Sequence, residues 1–187
     1  YPPVILYMDA PGIREELYDF ARRIAGQGYL VLLPDMYYRE GKVRFDINRG
    51  KEEMKRMFSS MSALNNKLVM DDTRAMLTFL NTHKQAAPGP GGCIGYCMSG
   101  RYSVNAATHF PDRVKAAASI YGTHLVTDQP DSPHIASRRT KAELYFACAE
   151  TDIYAPMETV EKLKQTMAAD KARAEVAFVL AAAIAFA

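Results

Sequence analysis

Two hydrophobic periods alternate along this chain. Short continuous apolar runs, each closed by a turn or a charge, predict strands buried on both faces. Between them lie segments with apolar positions three or four apart, which predict amphipathic helices. Val4–Met8 is the first run and ends at Asp9. Leu17, Phe20, Ala21 and Ile24 then share one helical face, and Gly26 and Gly28 stop the helix. Tyr29–Leu33 predicts a second buried strand, closed by Pro34-Asp35. A polar stretch without strong pattern runs to about Lys51. Glu52–Met61 fits a short helix and Leu68–Leu80 a longer one, with apolar positions at 69, 76, 77 and 80.

Pro88-Gly89-Pro90-Gly91 is a turn, and the run after it leads through Gly95 to Cys97. Tyr102–His109 predicts a helix, Val114–Ile120 a small-residue strand, and a loop with Pro130 and Pro133 leads to strand Leu144–Ala149. Met157–Met167 predicts a helix and Ala174–Leu180 a last strand. Continuous apolar strands alternating with amphipathic helices imply an α/β domain, with a mostly parallel sheet covered by helices on both faces. Without internal repeat or linker, residues 1–187 read as one domain. Ligands of such sheets bind at the carboxyl ends of the strands. Three polar features fall there: Asp9-Ala10-Pro11-Gly12, Cys97, and Glu150-Thr151-Asp152.

Composition narrows the function classes. The net charge is +2, so no large basic surface argues for nucleic acid. No apolar run reaches membrane-spanning length and no signal-peptide pattern opens the chain, so a membrane partner is not expected. Three cysteines without framework spacing point to a reducing, cytoplasmic setting. Four histidines without paired spacing give no metal signal, and no cofactor is expected. Gly89, Gly91, Gly92 and Gly95 precede a strand instead of opening a helix, against a dinucleotide fingerprint. Cys93 lies four residues before Cys97 in an extended strand, roughly 13 Å away, too far for a redox pair.

Gly92-Cys93-Ile94-Gly95-Tyr96-Cys97-Met98-Ser99-Gly100-Arg101 reads as a nucleophile elbow, in which a reactive side chain stands on a sharp strand-to-helix turn. Small residues on either side let the turn close. The helix N-terminus beneath is expected to lower the thiol pKa. The second small position holds Ser99 and the glycine follows at Gly100, a mild departure from the usual pattern. Cys93 and Cys148 lie inside apolar runs and read as core.

Three segments together resemble the dienelactone hydrolases, a branch of the α/β-hydrolase fold with a cysteine nucleophile. They are Leu33–Arg39, the elbow Gly95–Gly100, and Ala149–Pro156. The resemblance covers nearly the whole chain. It implies further strands before Tyr1 and a helix after Ala187, so the domain is expected to be truncated at both ends. It also implies hydrolysis of a small-molecule ester or lactone by a monomer or homodimer. Cys97 would attack the carbonyl, backbone N–H groups of Ala10 and Met98 would hold the oxyanion, Asp9 would help activate the thiol, and Asp152 would orient a histidine.

The family's histidine slot falls on Ile184, which cannot shuttle protons. Between 177 and 187, six of eleven residues are alanine and none is polar. That composition, and the need for a base, lead us to expect histidine in the encoded chain at 184. The alternative is a non-catalytic, small-molecule-binding pseudo-hydrolase. His124 follows a strand end and could line the pocket, whereas His83, His109 and His134 read as solvated.

Overall fold

The computed structural model describes residues 1–179. Among these residues six parallel strands form one sheet: β1 (Pro3–Tyr7), β2 (Leu30–Leu32), β3 (Gly91–Tyr96), β4 (Val114–Ile120), β5 (Glu143–Ala149) and β6 (Ala174–Val179). Their spatial order is β2-β1-β3-β4-β5-β6. The chain therefore winds outward from β1 to β2, then returns past β1 and winds the other way from β3. That reversal opens a crevice between the carboxyl ends of β1 and β3, the place where ligands bind in open α/β sheets.

The helices are α1 (Glu15–Ala25), α2 (Lys51–Ala63), α3 (Asn66–Thr82), α4 (Gly100–His109), α5 (Pro133–Ala136) and α6 (Met157–Ala169). Helix α3 starts two residues before its apolar stripe, because the Asn65 side chain accepts the Leu68 N–H at 2.9 Å and caps it. Parallel register puts Ile5, Tyr7, Cys93, Ala117, Leu144 and Phe146 on one face of the sheet. Helices α3 and α4 cover that face. The Tyr7 hydroxyl meets Thr73 at 2.6 Å, and the Cys93 thiol donates to the Ser103 carbonyl. Ile5, Leu6, Tyr7 and Met8 are almost wholly buried, and burying each such side chain stabilises the fold by about 1.5–3 kcal/mol.

The opposite face is covered unevenly. Helix α1 lies against it through Phe20, which stacks on Tyr96 at 5.1 Å. Beyond α1 the sheet surface is open among the described residues. There Ile94, Ala116, Ala118 and Tyr145 line a groove of about 880 Å³, rimmed by the Arg173–Glu143 ion pair.

Most predicted elements stand within a residue or two of their expected bounds. Strand β2 differs: it is three residues long and half-buried, because it forms the edge of the described sheet. The stretch from 36 to 50 holds two 3₁₀ turns and three buried side chains, Met36, Tyr37 and Phe45. His134, expected to be solvated, is buried on the short α5. Its ring Nδ1 lies 2.8 Å from the Ser132 hydroxyl, in a stretch too short to show a helical period. Among the described residues no helix is long and apolar enough to cross a membrane.

Candidate active site

Cys97 is the first residue after β3 and the start of a 3₁₀ turn that runs into α4. Its φ is +51°, a left-handed conformation that is uncommon for a side chain with a Cβ. The turn depends on its small residues. A Cβ on Gly95 would lie 2.0 Å from the Ser99 carbonyl oxygen, and one on Gly100 would lie 2.3 Å from the Ser119 hydroxyl. Ser99 is more than a tolerated substitute for glycine: fully buried, it donates its hydroxyl hydrogen bond to the Met8 carbonyl at the end of β1.

The loop after β4 closes the other side of the elbow. Tyr121 and His124 also have positive φ, +51° and +55°. The Thr123 N–H donates to the Cys97 carbonyl at 3.1 Å, and the Tyr121 N–H donates to Ala147 of β5 at 2.8 Å. Three of the four non-glycine residues with positive φ among the described residues thus gather at one end of the sheet. Each costs of order 1–3 kcal/mol, and such strain collects at functional sites. His124 stands exposed there, with Nδ1 3.0 Å from the Thr123 hydroxyl.

Asp9 and Asp152 share that end. Asp9 is bound by Arg14 through two hydrogen bonds of 2.5 and 2.7 Å, and both side chains are largely buried. The pair lies within electrostatic reach of Cys97 and borders a cleft of about 520 Å³, which Arg44, Phe45 and Asp46 wall on the far side. Asp152 accepts the Tyr154 N–H through Oδ1 at 2.8 Å in a tight turn after β5. Its negative charge reaches both Cys97 and Cys148. Ile184 lies outside the described residues.

The thiol differs from expectation. Its pKa is pushed up to about 11, foremost by burial. A hydrogen bond from the Met98 N–H and the charge of Arg14 oppose that shift, while Asp9 and Asp152 reinforce it. Burial therefore outweighs the helix N-terminus, and the resting group is a protonated thiol. Cys93 and Cys148 are likewise raised by burial.

Ala10 and Met98, whose N–H groups were expected to face the same point, are both buried. The Asp9-Ala10-Pro11-Gly12 segment is a turn, closed by the Gly12 N–H donating to the Asp9 carbonyl at 3.2 Å. Two residues of this site carried no sequence signal of their role. Arg14 follows Asp9 by five residues, a spacing with no periodic meaning in a loop. Tyr37 sits in Leu33–Arg39 with its side chain turned inward, because its N–H donates to Asp35 Oδ1 at 3.0 Å.

The sequence profile of the dienelactone hydrolase family matches residues 1–187, the whole chain. The chain belongs to this family. A protein of Yersinia pestis provisionally named carboxymethylenebutenolidase is 29% identical over 187 residues, covering 94% of this chain. A protein of the same name from Salmonella typhi is 29% identical over 186 residues. The chain spans 65% of the Yersinia protein and 64% of the Salmonella protein. A crystal structure provisionally titled dienelactone hydrolase, from Klebsiella pneumoniae, aligns with a TM-score of 0.83 at 27% identity. It covers 99% of this chain and 76% of its own. A dienelactone hydrolase-like promiscuous phosphotriesterase from metagenomic libraries shares the α/β-hydrolase fold, with a TM-score of 0.72 at 18% identity over 98% of this chain and 71% of its own.

Proposed function

We propose that this dienelactone hydrolase-family chain hydrolyses a small ester or lactone through Cys97. The observation that carries the reading is the strained Cys97 elbow, set between the Asp9–Arg14 pair and Asp152 at the topological switch point. A protonated thiol suits a resting enzyme, because it resists oxidation and alkylation until a base removes its proton. Asp9 takes that proton when substrate enters. Sulfur then bonds to the carbonyl carbon, and the carbonyl π electrons move onto oxygen, to which the Ala10 and Met98 N–H groups donate hydrogen bonds. Collapse breaks the ester C–O bond, and the leaving oxygen departs with the proton that Asp9 took from the thiol. Water hydrolyses the thioester, releasing the acid and returning the thiol.

Asp152 uses one carboxylate oxygen in its turn. Among the described residues the other takes no hydrogen bond, which suits an acid that orients a histidine expected at 184 for the deacylation step. The names of the relatives suggest a dienelactone as substrate.

The test is turnover of a dienelactone and of p-nitrophenyl acetate. Cys97→Ala should lower turnover by up to about a million-fold. Asp152→Asn should keep the fold and lose on the order of 10⁴-fold. Activity surviving in Cys97→Ala would sink the reading. Binding of a lactone without turnover by a chain whose mass shows isoleucine at 184 would favour the pseudo-hydrolase.

A further inference from the structure

We propose that Tyr37 and Ser99 are positioning residues that set the oxyanion hole by clamping the β1–α1 turn to the elbow. The inference rests on the proposed reading of Cys97 as nucleophile. An oxyanion hole needs two N–H groups, here one from each of two chain segments. Ala10 belongs to the turn after β1, and Met98 to the elbow after β3. Ordinary sheet pairing ends at Tyr7 and Gly95, before either group. Something else must fix their separation.

Two buried side chains span the gap. The Tyr37 hydroxyl donates to the Ala10 carbonyl at 2.9 Å and lies 3.5 Å from the Met98 sulfur. It therefore touches both residues that carry the hole. The Ser99 hydroxyl donates to the Met8 carbonyl from the elbow side. The Met8 and Ala10 carbonyls belong to the peptides on either side of the Asp9–Ala10 peptide, the one that carries the Ala10 N–H. Its own carbonyl accepts from the Gly12 N–H. In a trans peptide the N–H points opposite to the C=O, so the Ala10 N–H is held facing away from Gly12.

Three successive carbonyls are thus committed, and the N–H between them cannot turn without breaking a buried hydrogen bond. Tyr37 itself is held by Asp35 at its N–H and by Phe45, whose ring meets its own edge-on at 5.8 Å. It is 1% exposed and Ser99 is fully buried. Both hydroxyls are therefore spent on this clamp rather than on solvent or substrate. The clamp also explains why serine stands between Cys97 and Gly100: a glycine there would leave Met8 unpaired.

Two reactions of the same thiol separate positioning from general damage. Acylation by p-nitrophenyl acetate passes through an oxyanion, whereas alkylation by iodoacetamide displaces iodide at a saturated carbon and builds none. Both are measured on the whole chain, acylation as the first-turnover release of p-nitrophenolate, which needs no deacylation. Tyr37→Phe keeps the ring and should slow acylation ten- to a hundred-fold, less than the 10²–10³ of deleting a hole donor outright. Alkylation should stay within about two-fold. Ser99→Ala, which keeps the volume, should show the same split. Equal loss in both reactions, or no loss in acylation, overturns the clamp. Absence of first-turnover release from the wild-type chain overturns the nucleophile reading, and the clamp with it.

Discussion

The sheet groove beside α1 and the candidate active site lie apart, and they are built on opposite principles. The groove beside α1 has about 880 Å³ of space, lined chiefly by Ile94, Ala116, Ala118 and Tyr145. Its polar groups stand at the rim, where Arg173 pairs with Glu143. The cleft beside Asp9 is smaller, about 520 Å³. Next to it, strained backbone, a half-buried thiol and paired charges converge within one crevice. Volume measures only where the described residues leave the sheet uncovered. Chemistry needs groups whose positions are over-determined, and those sit where the strand order reverses.

The comparison breaks most visibly at the glycines. Gly95→Ala would place a Cβ 2.0 Å from the Ser99 carbonyl, a backbone atom that cannot move without opening the elbow. We expect a loss of about 3 kcal/mol or more, and thus a Tm lower by about 6 °C or more in a chain of this size. Gly92→Ala, at the groove, brings a Cβ to 3.2 Å from the Ala116 carbonyl. The neighbour need give only a few tenths of an ångström, so the cost should stay near 1 kcal/mol. Thermal unfolding followed by circular dichroism measures both. Similar losses would mean that the two regions are equally constrained.

Charge sharpens the same contrast. Cys97 is raised to about 11, with burial the largest cause and Asp9 adding to it, whereas Arg14 works the other way. In the wild-type chain, iodoacetamide labelling of Cys97 should therefore climb with pH up to about 11. Arg14→Ala removes the stabilising cation and should move the profile upward. Asp9→Asn removes the repelling anion and frees Arg14, and should move it downward. Each unit of displacement is a tenfold change in thiolate at neutral pH. Labelling rates across pH 6–10, followed by mass spectrometry, check both directions. Profiles that coincide would show that the pair does not act on the thiol.

Local pattern and tertiary contact divide what could be read from the chain. The strands and long helices follow from hydrophobic period, and the elbow is legible because Gly95, Cys97 and Gly100 are close neighbours in sequence. Arg14 and Tyr37 are not legible, since their roles lie in contacts with Asp9, Ala10 and Met98 that only the fold creates. Strand β2 reads as buried because its composition cannot announce a sheet edge. The thiol illustrates the same limit from another side. A helix N-terminus is a local feature and favours the thiolate, but burial is a global one and dominates.

The smallest expected effect concerns the loop that backs the site. The His134 backbone N–H donates to the Leu125 carbonyl at 3.0 Å, and its ring Nδ1 lies 2.8 Å from the Ser132 hydroxyl, which itself takes the Thr127 N–H at 2.9 Å. Burial depresses the His134 pKa below its ordinary 6.5, helped by the positive charges of Lys162 on α6 and Arg138, with a hydrogen bond to the Leu125 backbone and the charge of Asp128 opposing. The sign follows directly. The unfolded chain binds the proton more readily than the folded one, so stability is complete above about pH 6.5 and falls as pH drops below it. His134→Asn keeps an acceptor near the position of Nδ1 and removes the titration. Its Tm should fall less than that of the wild type between pH 7 and pH 5, by a few degrees at most. Amide exchange should locate the acid loosening around residues 121–134 and leave Gly92 and Ala116 at the groove unchanged. Loosening that begins at the groove instead would place the acid-sensitive contact elsewhere in the sheet.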